Sequence, residues 1–299
     1  MLFTESCSIK INLTLRVLGA REDGYHDISS LFWRLPSPEV LEVSAASRVD
    51  AVSVLGAEIP GENILWRTCR YLRERYGDDS FPRIDMRICK HLPMGSGVGA
   101  GSGNAAALLR WFRRVWRIGS RGESLDGLAS LGADVAFLAS DHDLAFAHGV
   151  GDKLDGMEGT LQLETVICFP EWSSDTRRAY ASLDSYRISE TADEPILDVD
   201  SSRLEALSVL NCLRNGEKVG LLPNDFITCM PEHKLCYNTL YEMFYACGSL
   251  AWGLCGSGSA CFALFRREDA GKSVPALLET LLSERSSRFQ WLRQILVLE

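Results

Sequence analysis

The sequence predicts an α+β fold. Two observations carry that prediction: the chain opens on segments of strictly alternating hydrophobicity, and the strands and helices that follow are mixed without a regular βαβ order. At 299 residues the chain exceeds one core of average size and suits one large domain or two smaller ones.

From Cys7 to Val17, Ile9, Ile11, Leu13, Leu15 and Val17 fall on one face of a strand, and Lys10, Asn12, Thr14 and Arg16 on the other. Gly19, Asp23 and Gly24 supply a turn, and strand-like segments follow at Ile28–Arg34, Val40–Ser44 and Ala51–Leu55. Ile64, Leu65, Cys69 and Leu72 sit at helical spacing, so a helix is expected over 62–76, stopped at Gly77. Ile84, Met86 and Ile88 alternate again, and a glycine-rich loop then leads into a helix over about 102–116. A shorter helix near Glu123–Ser130 and a turn and strand within residues 132–154 complete the first half. Gly156 and Gly159 flank a short polar stretch that marks a boundary, giving expected domains of 1–157 and 158–299. In the second half, strands are expected near 161–169, 250–255 and 260–265, and helices near 174–183, 202–213, 232–246 and 268–282.

Hydrophobic residues make up 46% of the chain and charged residues 24%, enough apolar material for a core. The net charge of −9 argues against a general nucleic-acid or membrane-surface binder. The start lacks the pattern of a signal peptide, no apolar run approaches a membrane span, and the expectation is a cytoplasmic protein. Ten scattered cysteines form no CxxC pair and read as buried free thiols, and the five histidines offer no zinc spacing.

The stretch "LPMGSGVGAGSGNAAALL" carries the chemistry. Glycine lacks a Cβ, so successive N–H groups can close on an oxyanion, and the N-terminus of the following helix adds its dipole. Gly95, Gly97, Gly99, Gly101 and Gly103 suit a phosphate cradle, where the plainer alternative is a flexible linker. Gly95, Gly97 and Ala100 satisfy GxGxxG/A, but the context is not an opening βαβ unit and Asp126 is the only nearby acidic ribose partner. Gly271, Lys272 and Ser273 spell the end of a Walker loop, with Arg266 where its first glycine belongs.

Read together, "SIKINLTLRVLGAREDGYHDISSLF", the glycine loop and "LCGSGSACFALF" resemble the three motifs of the GHMP kinases. Within that superfamily, "KINLTL" with "GYH" is similar to the family of 4-diphosphocytidyl-2-C-methyl-D-erythritol kinases of the non-mevalonate isoprenoid pathway; "GADVAF", "FAHGVGDKL" and "PNDF" also fall in the expected order. The resemblance implies an N-terminal domain like ribosomal protein S5, a ferredoxin-like C-terminal domain and an active site in the cleft between them. It further implies ATP as co-substrate, Mg²⁺, and a small alcohol bearing a cytidine diphosphate group. Other GHMP kinases acting on homoserine or mevalonate, and a non-catalytic nucleotide binder on the same fold, are the alternatives.

Position by position, the resemblance makes Asp134 the catalytic base and Lys10 its neighbour beside the acceptor hydroxyl. It makes Pro93, Met94, Gly95, Ser96, Gly97, Val98, Gly99, Ala100, Gly101, Ser102 and Gly103 the loop around the ATP phosphates. It places Asn12 near the acceptor, Tyr25 and His26 on the cytosine ring and Tyr180 over its other face, and Gly256, Ser257 and Gly258 in the third motif. Ser102 is the expected Mg²⁺ ligand. Where the family pattern reads "GLGGGSSNA" this loop reads "GVGAGSGNA", so Val98 replaces leucine and Gly103 a serine, and Ala136 stands where proline is usual. Each residue also has a plainer role: Lys10 as a solvated strand lysine, Asp134 as an N-cap, Tyr25 and His26 as surface residues, Tyr180 as helix core. Lys90, just before the loop, either attracts ATP or sits in solvent.

Overall fold

A long antiparallel hairpin organises the first half of the computed structural model, which describes residues 2–46, 48–59, 61–116, 127–188, 196–229 and 231–299. Strands β1 (Leu2–Ala20) and β2 (His26–Ala45) pair from Leu2 opposite Ser44 to Ala20 opposite His26. The two segments expected at 28–34 and 40–44 are therefore one strand. Pro36 and Pro38 lack the N–H of a ladder residue, and the register slips there instead of the strand ending. A second slip, between Asn12 and Thr14, corrects the expectation of one apolar face along β1. Ile9, Ile11 and Leu13 enter an apolar cluster with Phe169 and Phe262, whereas Leu15 and Val17, beyond the slip, join Ile28 and Phe32 in another.

The far edge of β2 is shared, with β4 (Ile84–Cys89) along Leu41–Ala45 and β5 (Leu144–Gly149) along Ile28–Trp33. Strand β3 (Ala51–Leu55) runs parallel to β4 and reaches it through α1 (Ile64–Tyr76), capped by the Asn63 side chain on the Leu65 N–H at 2.8 Å. Helices α2 (Ala100–Trp116) and α3 (Val135–Ala139) pack together, and β6 (Lys153–Met157) closes a hairpin on β5. Of the helix expected at 123–130, a 3₁₀ turn at Leu128–Ser130 is seen; Glu123 and Asp126 lie outside the described residues. Residues 132–154 hold more than the expected turn and strand, because α3 precedes β5.

The second sheet is ordered β11 (Leu292–Leu298), β7 (Leu163–Pro170), β10 (Cys261–Arg266), β9 (Ala251–Leu254), β8 (Gly220–Leu221). It carries α4 (Thr176–Ile188), α5 (Val199–Arg214), α6 (Lys234–Ala246) and α7 (Arg267–Ser283), each close to its sequence-expected span. Strands β8 and β11 were not expected. Gly271, Lys272 and Ser273 lie inside α7, a helix rather than a phosphate loop.

The outer edge of β1 is the seam between the halves. Its N–H groups do not face solvent: Lys10 N donates to Val98 O (2.9 Å), Leu15 N to Pro223 O (2.9 Å) and Val17 N to Asp225 Oδ2 (2.8 Å). Arg16 grips Glu205 through two nitrogens and Asp225 through a third, and Arg187 holds the other oxygen of Asp225. All ten cysteines are free thiols; five are buried, four are partly covered and Cys89 is exposed.

Candidate active site

Lys10 lies in the middle of the β1 seam and is 4% exposed, which excludes its plainer role in solvent. A buried ammonium needs partners. Its Nζ donates to Asn12 Oδ1 at 2.9 Å, stands 3.6 Å from Asp134 Oδ1 and lies 5.2 Å from the centre of the Phe32 ring. Asn12 is equally buried and its oxygen also accepts the Gly256 N–H at 2.9 Å, while its nitrogen donates to Ser30 Oγ at 2.9 Å. Asn12 thus ties Lys10 to the third motif.

Asp134 occupies the N-cap position of α3, yet its side chain makes no capping hydrogen bond. The carboxylate turns instead toward Lys10 and remains about one-quarter exposed, so it is open to a ligand. Arginines on α2 hold α3 in place: Arg110 donates to Leu138 O and Arg113 to Ala139 O, the carbonyls at the C-terminal end of that helix. Ala136 is buried inside α3, where it continues the helix without strain.

The glycine loop runs past these groups with Gly95, Gly97 and Gly99 at φ of 67°, 81° and 70°. It docks through its own backbone on the third motif, where Ala260 N donates to Ser96 O at 3.0 Å, and on the segment before α4, where Ser174 N donates to Gly95 O at 2.9 Å. A Cβ on Gly97 would stand 1.8 Å from Cys255 O, so no other residue allows this approach. Asn224, from "PNDF", completes the arrangement by donating to Leu254 O at 3.1 Å and Gly256 O at 2.9 Å. Sequence reasoning registered that motif without assigning this residue. Ser257 is bound from α4 and the segment before it: Ser174 Oγ donates to its carbonyl at 2.8 Å, and Thr176 Oγ1 lies 3.3 Å from its hydroxyl.

Gly103 has a packing role that the sequence did not disclose. It is buried in α2, and a Cβ there would meet Ser8 O at 1.8 Å, so this position faces β1 and not the mouth of the loop. Restoring the family serine by Gly103→Ser should therefore lower stability by about 1–3 kcal/mol in a urea melt, with no gain in magnesium-dependent nucleotide affinity. An unchanged midpoint with tighter binding would contradict this. Lys90, expected either to attract ATP or to lie in solvent, does neither: it is buried and donates to Glu39 Oε2 at 2.6 Å.

The residues expected to sandwich a base touch one another. His26 lies flat on Tyr180, ring centres 4.4 Å apart at 19°, and its Nε2 sits 3.0 Å from each carboxylate oxygen of Asp184, one turn along α4 from Tyr180. Tyr180 meets Phe226 edge-on at 5.0 Å. Two rings 4.4 Å apart leave no room between them, so a base can enter between His26 and Tyr180 only if the two rings part. Tyr25, beside them in the turn, is 65% exposed and free to receive a ring. Burial pushes the Tyr180 hydroxyl up to about 12, and likewise the Cys255 thiol behind Lys10, so neither competes with a carboxylate for a proton near neutral pH.

Among the described residues no group of three or more His, Cys, Asp or Glu could cage a metal ion. The donors at the mouth, the Ser102 hydroxyl beside Gly132 and the Asp134 carboxylate, suit an ion such as Mg²⁺ that arrives on nucleotide phosphates and needs few protein ligands.

Comparison with known proteins identifies the family. Residues 63–148 match the model of the GHMP kinases N terminal domain, and residues 232–279 that of the GHMP kinases C terminal. The 4-diphosphocytidyl-2-C-methyl-D-erythritol kinase of Pelodictyon phaeoclathratiforme is 33% identical over 278 residues, covering 90% of this chain and 91% of that one. The enzyme of the same name from Chlorobaculum tepidum is 30% identical and covers 92% and 93%. A crystal structure of 4-(cytidine 5'-diphospho)-2C-methyl-D-erythritol kinase superposes with a TM-score of 0.71 at 26% identity, over 99% of this chain and 98% of that one. Homoserine kinase from Cytophaga hutchinsonii shares the fold alone, with a TM-score of 0.66 at 14% identity. With the α+β fold of two mixed sheets and relatives matched along nine-tenths of the sequence, the chain belongs to the 4-diphosphocytidyl-2-C-methyl-D-erythritol kinase family of the GHMP kinases.

Proposed function

We propose that the protein transfers the γ-phosphoryl group of ATP to the C2 hydroxyl of 4-diphosphocytidyl-2-C-methyl-D-erythritol, in the methylerythritol phosphate route to isoprenoid precursors. The observation that carries the chemistry is the uncapped Asp134 carboxylate 3.6 Å from a buried lysine, at the mouth of a glycine loop. Kinship with enzymes of that name supports the substrate.

Phosphoryl transfer asks the protein to position two reactants, spread charge and take one proton. The amides of Pro93–Gly103 bind the phosphates of ATP, with the N-terminus of α2 behind them. Asp134 accepts the proton of the acceptor hydroxyl as its oxygen bonds to the γ-phosphorus and the bond to the ADP oxygen breaks. Lys10 keeps the carboxylate oriented and offsets negative charge as it develops, and Asn12 holds Lys10 in register with the third motif. Ser102 and Asp134 would be the protein donors to a Mg²⁺ ion arriving with the nucleotide, which would supply further charge neutralisation. The site lies where residues 1–157, which build the first sheet, meet residues 158–299, which build the second; we take these spans as the two domains. The ten free thiols suit a reducing cytoplasm.

The cytidine group is bound by Tyr25, His26 and Tyr180. Stacking of a base on an aromatic ring is worth about 1–3 kcal/mol, so Tyr25→Ala should raise KM for the cytidyl substrate roughly 5- to 150-fold and leave KM for ATP unchanged. Steady-state kinetics with each substrate varied in turn checks this. Equal KM values in both proteins would remove Tyr25 from the base site and reopen the homoserine or mevalonate alternatives.

A further inference from the structure

Glu39 is 0% exposed and has no part in the chemistry above. It stands beside the slip in β2 where Pro36 and Pro38 interrupt the ladder, and its side chain reaches both the end of β4 and the start of α2. One oxygen, Oε1, accepts the N–H groups of His91 and Leu92, each at 3.1 Å. The other, Oε2, accepts Lys90 Nζ at 2.6 Å. Asn104 completes the cluster: in the amide orientation that its donors and acceptors require, its nitrogen donates to Glu39 Oε2 and to Ala100 O, both at 2.9 Å, and its oxygen accepts from Lys90 Nζ at 3.0 Å.

The position of these groups in the chain gives the cluster a meaning. Lys90, His91 and Leu92 lead into the glycine loop, Ala100 lies where the loop turns into α2, and Asn104 follows its last residue. A single buried carboxylate therefore holds both ends of the segment that meets the phosphates. An apolar filling would serve burial equally well, whereas a fully hydrogen-bonded polar cluster fixes the groups it joins. Glu39 is 51 residues from Lys90 and itself touches no part of the mouth, so it acts through the loop.

We propose that Glu39, with Lys90 and Asn104, is a positioning unit that sets the separation of the two ends of the phosphate loop, so that the loop amides are preorganised for ATP. This rests on the assignment of that loop to ATP phosphates. The test is calorimetric binding of ATP, without the alcohol, to the wild-type protein, to Asn104→Ala and to the double variant Glu39→Leu/Lys90→Met, with urea melts and KM for the alcohol measured alongside. The double variant leaves no unpaired buried charge, and Asn104→Ala keeps the ion pair while freeing the loop exit. Expected are ATP affinities about tenfold weaker in the double variant and about threefold weaker in Asn104→Ala, with KM for the alcohol within twofold, as lost preorganisation predicts. Folded variants whose ATP affinity stays within twofold of wild type overturn the proposal and leave the cluster a purely structural role. If the double variant does not fold, Asn104→Ala decides alone. Absence of ATP binding in the wild-type protein overturns instead the assignment of the loop, a result distinct from variants that match a binding parent.

Discussion

Asp134→Asn is expected to abolish turnover while ATP still binds. The amide is nearly isosteric, so the start of α3 survives, as does the close approach of Gly99, where a Cβ would stand 3.0 Å from Asp134 Oδ2, but the amide cannot take a proton. General-base catalysis contributes typically 10²- to 10⁴-fold, and kcat should fall by about that factor. The structure favours this over an N-cap role because the carboxylate makes no capping bond and faces Lys10 instead. An N-cap role would predict lost stability and retained rate; the base role predicts the reverse. Single-turnover kinetics beside a urea melt separates them, and a variant keeping more than about a tenth of the wild-type rate would remove Asp134 from proton transfer.

Gly97→Ala is the second large effect. A methyl group at this position would lie 1.8 Å from Cys255 O and 2.8 Å from Gly258 O, on a backbone at φ 81°. The variant must either push the third motif away or refold the loop. Either movement shifts the amides proposed to bind phosphate by about 1 Å or more relative to Asp134, and misplacement on that scale costs on the order of 10²-fold in rate. We expect kcat/KM for ATP to fall by at least about that factor. Gly101 is the internal control, since no atom lies within 4 Å of a Cβ built there, and Gly101→Ala should be tolerated. Equal activity of the two alanine variants would show that contact between the loop and the third motif is not required.

Much of the architecture was legible because it rests on short-range patterns. Alternation disclosed β1 and β4, helical spacing disclosed α1, and α2, α4 to α7 and the inner strands of the second sheet lie close to where they were expected. What escaped depends on contacts made far along the chain. The segments at 28–34 and 40–44 read as two strands, because a register slip that lets one strand continue past Pro36 and Pro38 is visible only once β1 lies alongside. The slip at Asn12/Thr14 sends Leu15 to a different core from Ile11, although both fit one alternating pattern. Lys10 looked ordinary for a strand lysine, and its burial follows from the glycine loop and third motif closing over the β1 edge.

The candidate site divides along the same line. Asp134, Lys10, Asn12 and the glycine loop were each identifiable from motif resemblance, and the structure brings them together. Gly103 was read only as a departure from the family's serine, because nothing in "GSGNA" tells that a Cβ there would meet Ser8 O. Asn224 and Asp184 were not singled out as site residues. Their roles, holding the third motif and binding His26, join segments 30 or more and 158 residues apart. Glu39 had no sequence signal beyond its place after two prolines.

The most direct test of the account is an ADP-release assay with ATP and magnesium, offering 4-diphosphocytidyl-2-C-methyl-D-erythritol beside mevalonate, homoserine and galactose. The account predicts turnover with the cytidyl alcohol alone. Release with one of the other alcohols instead, or none with any despite measurable ATP binding, would contradict it.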